Sequence, residues 1–284
     1  MEKIAVIILN YNSVADCKKC IPMLQLQNGV SPEFFIVDSA SNEKEVKELK
    51  EYCYQQSLNF YESKENLGYN RGNNIGLRAA AKKGYKYALV CNPDMEFPKR
   101  DFLSKLVKDF KIDKEIVAVG GYIKGLDGKP QSPMKADGNW SESFNWIRDI
   151  WYAKTGKPIS YLDNPESSHI CSKLMGSCLL VDLDFIQRIG FFDEKVFLYC
   201  EEAILAKVIS NDGKKAYYDA SAIAIHAHSK SKKGNSASHL KFWRKSRLYF
   251  YSKYSGYNSW GKLISKISTI IYISAISIAK RLRK

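Results

Sequence analysis

Short apolar runs alternate with amphipathic, helix-length stretches through the first third of the chain. Ile4–Leu9 is apolar and rich in β-branched residues, stops at Asn10-Tyr11-Asn12-Ser13, and is followed by a helical segment to about Gln27. Phe34–Val37 is the next run, stopped by Asp38-Ser39-Ala40-Ser41-Asn42 ahead of a charged helical segment from Glu43. Leu58–Tyr61 leads into a Gly/Asn-rich loop and a helix near Asn73–Lys83, and Tyr87–Cys91 ends at Asn92-Pro93-Asp94. Strands alternating with helices of this length predict βαβ units and a mostly parallel α/β sheet flanked by helices. Ligands of such sheets bind outside the carboxyl ends of the strands, which is where all this polar punctuation falls.

Beyond Gly120 the alternation loosens. Lys124–Ser168 carries Gly, Pro, Asn, Asp and several aromatics without clear periodicity, and a long irregular insertion of that kind reads as a binding loop or lid. Leu174–Val181 resumes a strand, Leu183–Ile189 a short helix, and Tyr199–Asn211 a longer helix with Glu201 and Glu202 in its first turns. Ile223–Ile225 is strand-like and runs into His226-Ala227-His228. No fixed-period repeat or low-complexity tract interrupts this order.

At 284 residues, the chain is one large domain or a domain with an appendage, and 45% hydrophobic and 13% aromatic content excludes a disordered or collagen-like protein. The 44 Lys and Arg against 30 Asp and Glu leave a net charge of +14, which asks for an anionic partner: nucleic acid, anionic lipid or a phosphorylated ligand. Much of the basic character is at the end. His239–Tyr254 mixes basic residues with Phe242, Trp243, Tyr249, Phe250 and Tyr251, and Lys262–Lys284 has an Ile-rich centre, Ile267–Ala279, closed by Lys and Arg. Two readings stand for this extension, residues 236–284: an interfacial helix on an anionic membrane, or terminal helices docking on the core or on another subunit. No uninterrupted apolar run reaches 18 residues, so a membrane-spanning helix is not expected. Seven scattered cysteines and an opening unlike a cleavable signal predict free thiols and a cytoplasmic setting, peripheral on the inner face of the membrane if the tail binds lipid.

Several residues have a chemical reading beside a bland one. A Walker A loop is absent, and Ile4–Leu9 is not followed by GxGxxG. Glu65–Gly76 (ENLGYNRGNNIG) brings glycines to the start of a helix, where phosphate can be received. Asn92-Pro93-Asp94 is a turn, or Asp94 is a Mg2+ or Mn2+ ligand facing a diphosphate. Glu201 and Glu202 satisfy a helix dipole, or one is a general base. His226 and His228 are packing or surface groups, or complete a metal and phosphate site. Cys17-Lys18-Lys19-Cys20 lacks a second pair for zinc and reads as structural.

Taken in order, Val6–Ser13 (VIILNYNS), Ile36–Ser41 (IVDSAS), Glu65–Gly76, Val90–Phe97 (VCNPDMEF), Met175–Glu202 and Ile225–Ser231 (IHAHSKS) resemble the family 2 glycosyltransferases of GT-A fold, in particular the bacterial rhamnosyltransferase-like branch. The resemblance implies a catalytic domain over residues 1–235, with a nucleotide-binding half (1–120) and an acceptor and catalytic-base half (121–235). It implies an inverting transfer from a UDP- or dTDP-sugar to a hydroxyl of a glycan, lipid-linked or protein-linked acceptor, with a divalent cation, Mn2+ or Mg2+. By that resemblance Asn10, Tyr11 and Asp38 line the nucleoside pocket, with Asp38 bonding base or ribose. Asn66, Gly68 and Arg71 close over the base and diphosphate, Asn92 and Asp94 occupy the DxD position with Asp94 on the cation, and Gly176 and Ser177 border sugar and acceptor. Glu202 matches the base, Glu201 stands next to it, and His226 is a late metal or phosphate ligand. This chain differs from the pattern in three places: Asn92 for the first DxD acid, Glu202 for aspartate, and Ile204 where an acid commonly follows. A non-catalytic sugar-binding or assembly module on the same scaffold is the alternative, discriminated by hydrolysis of nucleotide sugars; nucleic-acid binding has no recognised motif behind it.

Overall fold

Glu2–Asn10 (β1) runs through the centre of the protein, and Ile4 to Ile8 have no exposed surface on either face. The computed structural model describes residues 1–156, 161–227 and 236–282. From β1 the chain continues through Val14–Gln25 (α1), Val30–Ser39 (β2), Glu43–Gln55 (α2), Asn59–Ser63 (β3), Gly68–Lys82 (α3) and Tyr87–Cys91 (β4). Met95–Glu96 (β5), Phe102–Asp109 (α4) and Ile116–Gly125 (β6) follow, then a 3-10 turn at Trp140–Phe144 and Asn145–Thr155 (α5). His169–Cys171 (β7), Cys178–Asp182 (β8), Leu183–Arg188 (α6), Glu201–Asn211 (α7) and Lys215–His226 (β9) complete the sheet region, and Ser236–Lys253 (α8) and Ser259–Leu282 (α9) end the chain.

The strands form one sheet in the order β3-β2-β1-β4-β8-β6-β9-β5, with β7 also on β9. Parallel ladders join β3, β2, β1 and β4, and another joins β6 to β9, while β8 runs against both neighbours and β5 and β7 run against β9. The sheet is therefore mostly parallel, as the alternating pattern predicts. Its two faces separate by residue parity: Ile4, Val6 and Ile8 join the core under α1 and α4, and Ala5 and Ile7 join the core under α3 and α6.

Several expectations are corrected. The strand β8 starts at Cys178, four residues later than the apolar run at Leu174, because Leu174–Ser177 bends at the rim of the sheet instead of pairing. The helix α3 starts five residues before Asn73, at Gly68. The insertion Lys124–Ser168 is not wholly irregular: it contains the 3-10 turn and α5. A division at residue 120 falls inside β6, so the two halves share one sheet without a break. Finally, α9 is 24 residues long, and Ser259–Ile278 is long and apolar enough, by length and composition, to cross a membrane. Serines and a glycine interrupt its apolar run, which hides that stretch from a search for unbroken hydrophobicity. Cys17 and Cys20 are fully buried in the core, and all seven cysteines are free.

Candidate active site

Parallel pairing brings Asn10 and Asp38 side by side at the ends of β1 and β2. Both are fully buried. Asn10 Nδ2 donates to Asp38 Oδ2 at 2.7 Å, and Ser41 donates to the two Asp38 oxygens through its hydroxyl (2.7 Å) and its N–H (3.0 Å). Asn10 Oδ1 accepts from Ser13 N at 3.0 Å, and Asn12 N donates to Ser41 Oγ at 2.8 Å. Asp38 thus accepts from three protein donors and holds two strand-end loops together. Of the three residues placed in the nucleoside pocket, Tyr11 is the one facing solvent, 44% exposed.

The Gly/Asn motif is mostly about packing. A Cβ at Gly72 would lie 2.5 Å from Leu9 Cδ1 and one at Gly76 2.5 Å from Ile7 Cγ2, so these glycines let α3 sit directly on β1. Gly68, with φ of +74°, presses against the carbonyl of Phe197, and Tyr69 N donates to that same oxygen at 2.8 Å. Asn66 Oδ1 accepts from Gly68 N at 3.0 Å and sets the turn. Arg71 is exposed, 3.9 Å from Glu65.

Further along the rim, Asn92 N donates to Ser177 O at 2.8 Å, and Gly176 N donates to Glu202 Oε1 at 3.4 Å. Adjacent residues before β8 therefore tie the end of β4 to the start of α7. This brings the Asn92–Asp94 turn and the Glu201-Glu202 pair to one edge. Ser177 Oγ and Glu201 Oε2 are buried without a hydrogen-bond partner among the described residues. Tyr69, which motif reading passed over, donates its hydroxyl to Gly176 O and locks α3 to this corner.

Burial pushes the Glu201 carboxyl up to about 8, and the neighbouring Glu202 adds to the shift. Glu202 is raised as well, chiefly by burial, while its own N–H, Gly176 N–H and Lys173 favour its charged form. Lys173 is itself held by Asp137 at 2.9 Å. With more donors on Glu202, the charged form is favoured there over Glu201. A cavity of about 400 Å³ runs from Tyr69, Gly176, Glu201 and Glu202 to Phe191 and Asp193 under α7; Asp94 and His226 do not line it.

Asp94 and His226 meet because β5 pairs with the end of β9, Met95 opposite His226. Asp94 Oδ1 lies 3.2 Å from His226 Nε2, and His226 Nδ1 is 3.0 Å from Gln131 Oε1. Gln131, from the aperiodic insertion, carried no sequence signal for this role. As acceptor it places the proton on Nδ1 and turns Nε2 toward Asp94. No group of three or more His, Cys, Asp and Glu converges on a metal position among the described residues. One carboxylate and one imidazole nonetheless suit a Mg2+ or Mn2+ ion that takes its other ligands from substrate phosphates and water. His228, the second histidine of the motif, lies outside the described residues.

Ile204, where an acid was looked for, is buried with Val196, Ala203, Phe250 and Tyr251. It forms the seat of α8.

Comparison with known proteins agrees with this fold. Residues 5–175 match the family described as Glycosyl transferase family 2. A low-salt glycan biosynthesis hexosyltransferase of Haloferax volcanii is 28% identical over 205 residues, 71% of this chain and 60% of that protein. An N-acetylglucosaminyl-diphospho-decaprenol L-rhamnosyltransferase of Mycobacterium tuberculosis is 35% identical over 85 residues, 30% of this chain and 28% of that one. The chain thus spans less than two thirds of the length of these relatives. Among solved structures, a mannosyltransferase from Pyrobaculum calidifontis in complex with GDP-Man and Mn2+ superposes with a TM-score of 0.58 at 16% identity, covering 97% of this chain and 75% of that one, which is a likeness of fold.

Proposed function

The chain belongs to glycosyl transferase family 2, and we propose that it is an inverting glycosyltransferase that moves a sugar from a UDP- or dTDP-sugar to a hydroxyl of a glycan, lipid-linked or protein-linked acceptor. One observation carries the reading: the Glu201-Glu202 pair, raised by burial, touches Gly176 at the edge where the Asn92–Asp94 turn ends. An acid pair beside a diphosphate-facing turn is what a single displacement at an anomeric carbon needs.

In this reading Glu202, the member of the pair with more protein donors, accepts the proton of the acceptor hydroxyl as its oxygen attacks the anomeric carbon. Glu201 remains protonated and keeps the pair at one negative charge. Gly176 N–H and Tyr69 fix the position of the Glu202 carboxylate, so the base is oriented before the acceptor arrives. Asp94 and His226 would hold a divalent cation that offsets charge developing on the departing diphosphate. The Asn10–Asp38–Ser41 network keeps the Tyr11 loop in place beside the nucleoside, and Ser177 offers an unspent hydroxyl to sugar or acceptor.

Glu202→Gln tests this directly. Transfer from a panel of nucleotide sugars, GDP-mannose included, is expected to fall by about a hundredfold or more, the usual contribution of a general base, while donor affinity by calorimetry stays near wild type. Near wild-type turnover would assign the base to Glu201.

A further inference from the structure

The helix α9 is oriented opposite to the usual rule. Gly261, Ser265, Ser268 and Thr269 are buried against the protein, and Ser268 accepts from Trp146 Nε1 at 3.0 Å while donating to Ser143 O at 2.7 Å. The face two residues on, about 200° around the helix, carries Leu263, Ile267, Ile270, Ile271 and Ile278, each between 46% and 58% exposed. Trp260, at the start of α9, is 73% exposed. The neighbouring α5, joined to α9 through Trp146 and Tyr272 with ring centroids 5.5 Å apart, leaves Ile147, Ile150 and Trp151 exposed too. A soluble helix would turn its isoleucines inward.

Charge says what covers this face. Residues 220–284 hold 14 of the 44 Lys and Arg and none of the 30 Asp and Glu. The first 219 residues therefore carry 30 basic against 30 acidic groups, and α8 and α9 themselves hold nine Lys and Arg and no Asp or Glu. Lys262 and Lys266 flank the apolar face, and Arg148 and Lys154 lie on α5. We propose that the isoleucine face of α9, with the exposed apolar residues of α5 and the acid-free, basic helices α8 and α9, seats the protein on an anionic lipid bilayer. The helix lies in the interface and does not span. Spanning would strip Ser265, Ser268 and Thr269 of their buried setting and break the Trp146 and Ser143 bonds. A second copy of this chain is disfavoured as the occupant, because it would bring Lys262 and Lys266 of each copy together around the paired faces with no acid on α9 to offset them. The proposal stands on this surface alone and does not depend on the transfer reaction.

Flotation of the full chain with vesicles of phosphatidylcholine containing one-third phosphatidylglycerol tests it, with pure phosphatidylcholine in parallel. Wild type is expected to float with the anionic vesicles, more than tenfold better than with neutral ones, and to be partly released by high salt. The double substitution Ile270→Asn, Ile271→Asn should weaken binding by at least tenfold with an unchanged melting temperature, since both side chains are exposed. Should that variant misfold, Lys262→Glu with Lys266→Glu gives the same reading through charge. Quenching of wild-type tryptophan fluorescence by bromine-labelled lipid adds an independent measure of contact. Wild type remaining unbound, variants binding as wild type, or a stable dimer in lipid-free buffer that the same isoleucine substitutions dissociate would each overturn the proposal.

Discussion

Replacing Glu201 by glutamine isolates the buried proton on which the acid pair depends. The Glu201 carboxyl titrates at about 8 in the folded protein against 4.5 for an unhindered glutamate. Between those values the unfolded chain has released a proton that the native state retains, so the unfolded state binds fewer protons and stability falls as pH rises. Each pH unit costs about 1.4 kcal/mol, so from about pH 5 to pH 7 the loss from this group is roughly 2–3 kcal/mol. For a chain of this size that is about 5–10 °C in melting temperature. Glutamine is uncharged over the whole range and close to the protonated acid in shape, so Glu201→Gln should melt like wild type near pH 5 and increasingly above it toward pH 7.5. Asp109, pushed up to about 7 by burial and by Asp219, adds a background slope common to both proteins, so the difference between the two melting curves is the quantity to read. Thermal denaturation by circular dichroism in matched-ionic-strength buffers suffices. Parallel curves would mean that Glu201 is ionised in the native state, and the assignment of Glu202 as the charged base would fail with it.

Asp94→Ala and His226→Ala should each remove the manganese dependence of donor binding measured by calorimetry, because the cation would keep a single protein ligand; unchanged affinity with and without manganese relative to wild type would refute the paired role. Gly68→Ala is expected to destabilise by about 2 kcal/mol or more in urea melts, since the new Cβ would lie 2.2 Å from the Phe197 carbonyl oxygen at a φ of +74°; a neutral substitution would show that the loop is free to shift. Phe250→Ala should cost about 3 kcal/mol as a buried aromatic truncation and lower kcat with little change in donor affinity, and a purely thermal effect would detach α8 from the chemistry.

The N-terminal part of the fold, through β4, was legible because its signals are local. Ile4–Leu9, Tyr87–Cys91 and their polar stops mark buried parallel strands by composition alone, and β4 has those very bounds. Pairing across the sheet then brings Asn10 to Asp38 and His226 to Met95, next to Asp94, partners whose proximity no short window contains. Composition could not tell that Gly72 and Gly76 serve the contact of α3 with β1, because a glycine spared for close packing and one spared for phosphate look alike in sequence. Gln131 and Tyr69 were missed for a related reason: each acts through one long-range hydrogen bond, and neither residue type is unusual where it stands. In α9 the sequence shows an amphipathic helix but not which face is turned inward. Only the burial of Ser265 and Ser268 decides that.

The C-terminal helices bear on the active site as well as on the surface. Tyr199 and Cys200 are consecutive left-handed residues, with φ of 71° and 65°, immediately before the glutamate pair. Side chains of this size lose about 1 kcal/mol or more each in that conformation, so the turn persists only if its surroundings dictate it. α3 supplies part of them through Gly68 and Tyr69, and α8 supplies the rest of the contacts named here. Phe242 stacks on Phe197 at 4.4 Å, Ser246 donates to Leu198 O at 2.7 Å, and His239 meets the Tyr199 hydroxyl at 2.8 Å. Ile204 then closes the seat from the next turn of α7, packed with Phe250 and Tyr251. An acid at position 204 would be buried against the rings of Phe250 and Tyr251, at a cost in desolvation. An apolar residue at 204 suits the docking of α8 there, and the segment 236–253 holds the turn that leads into the acid pair.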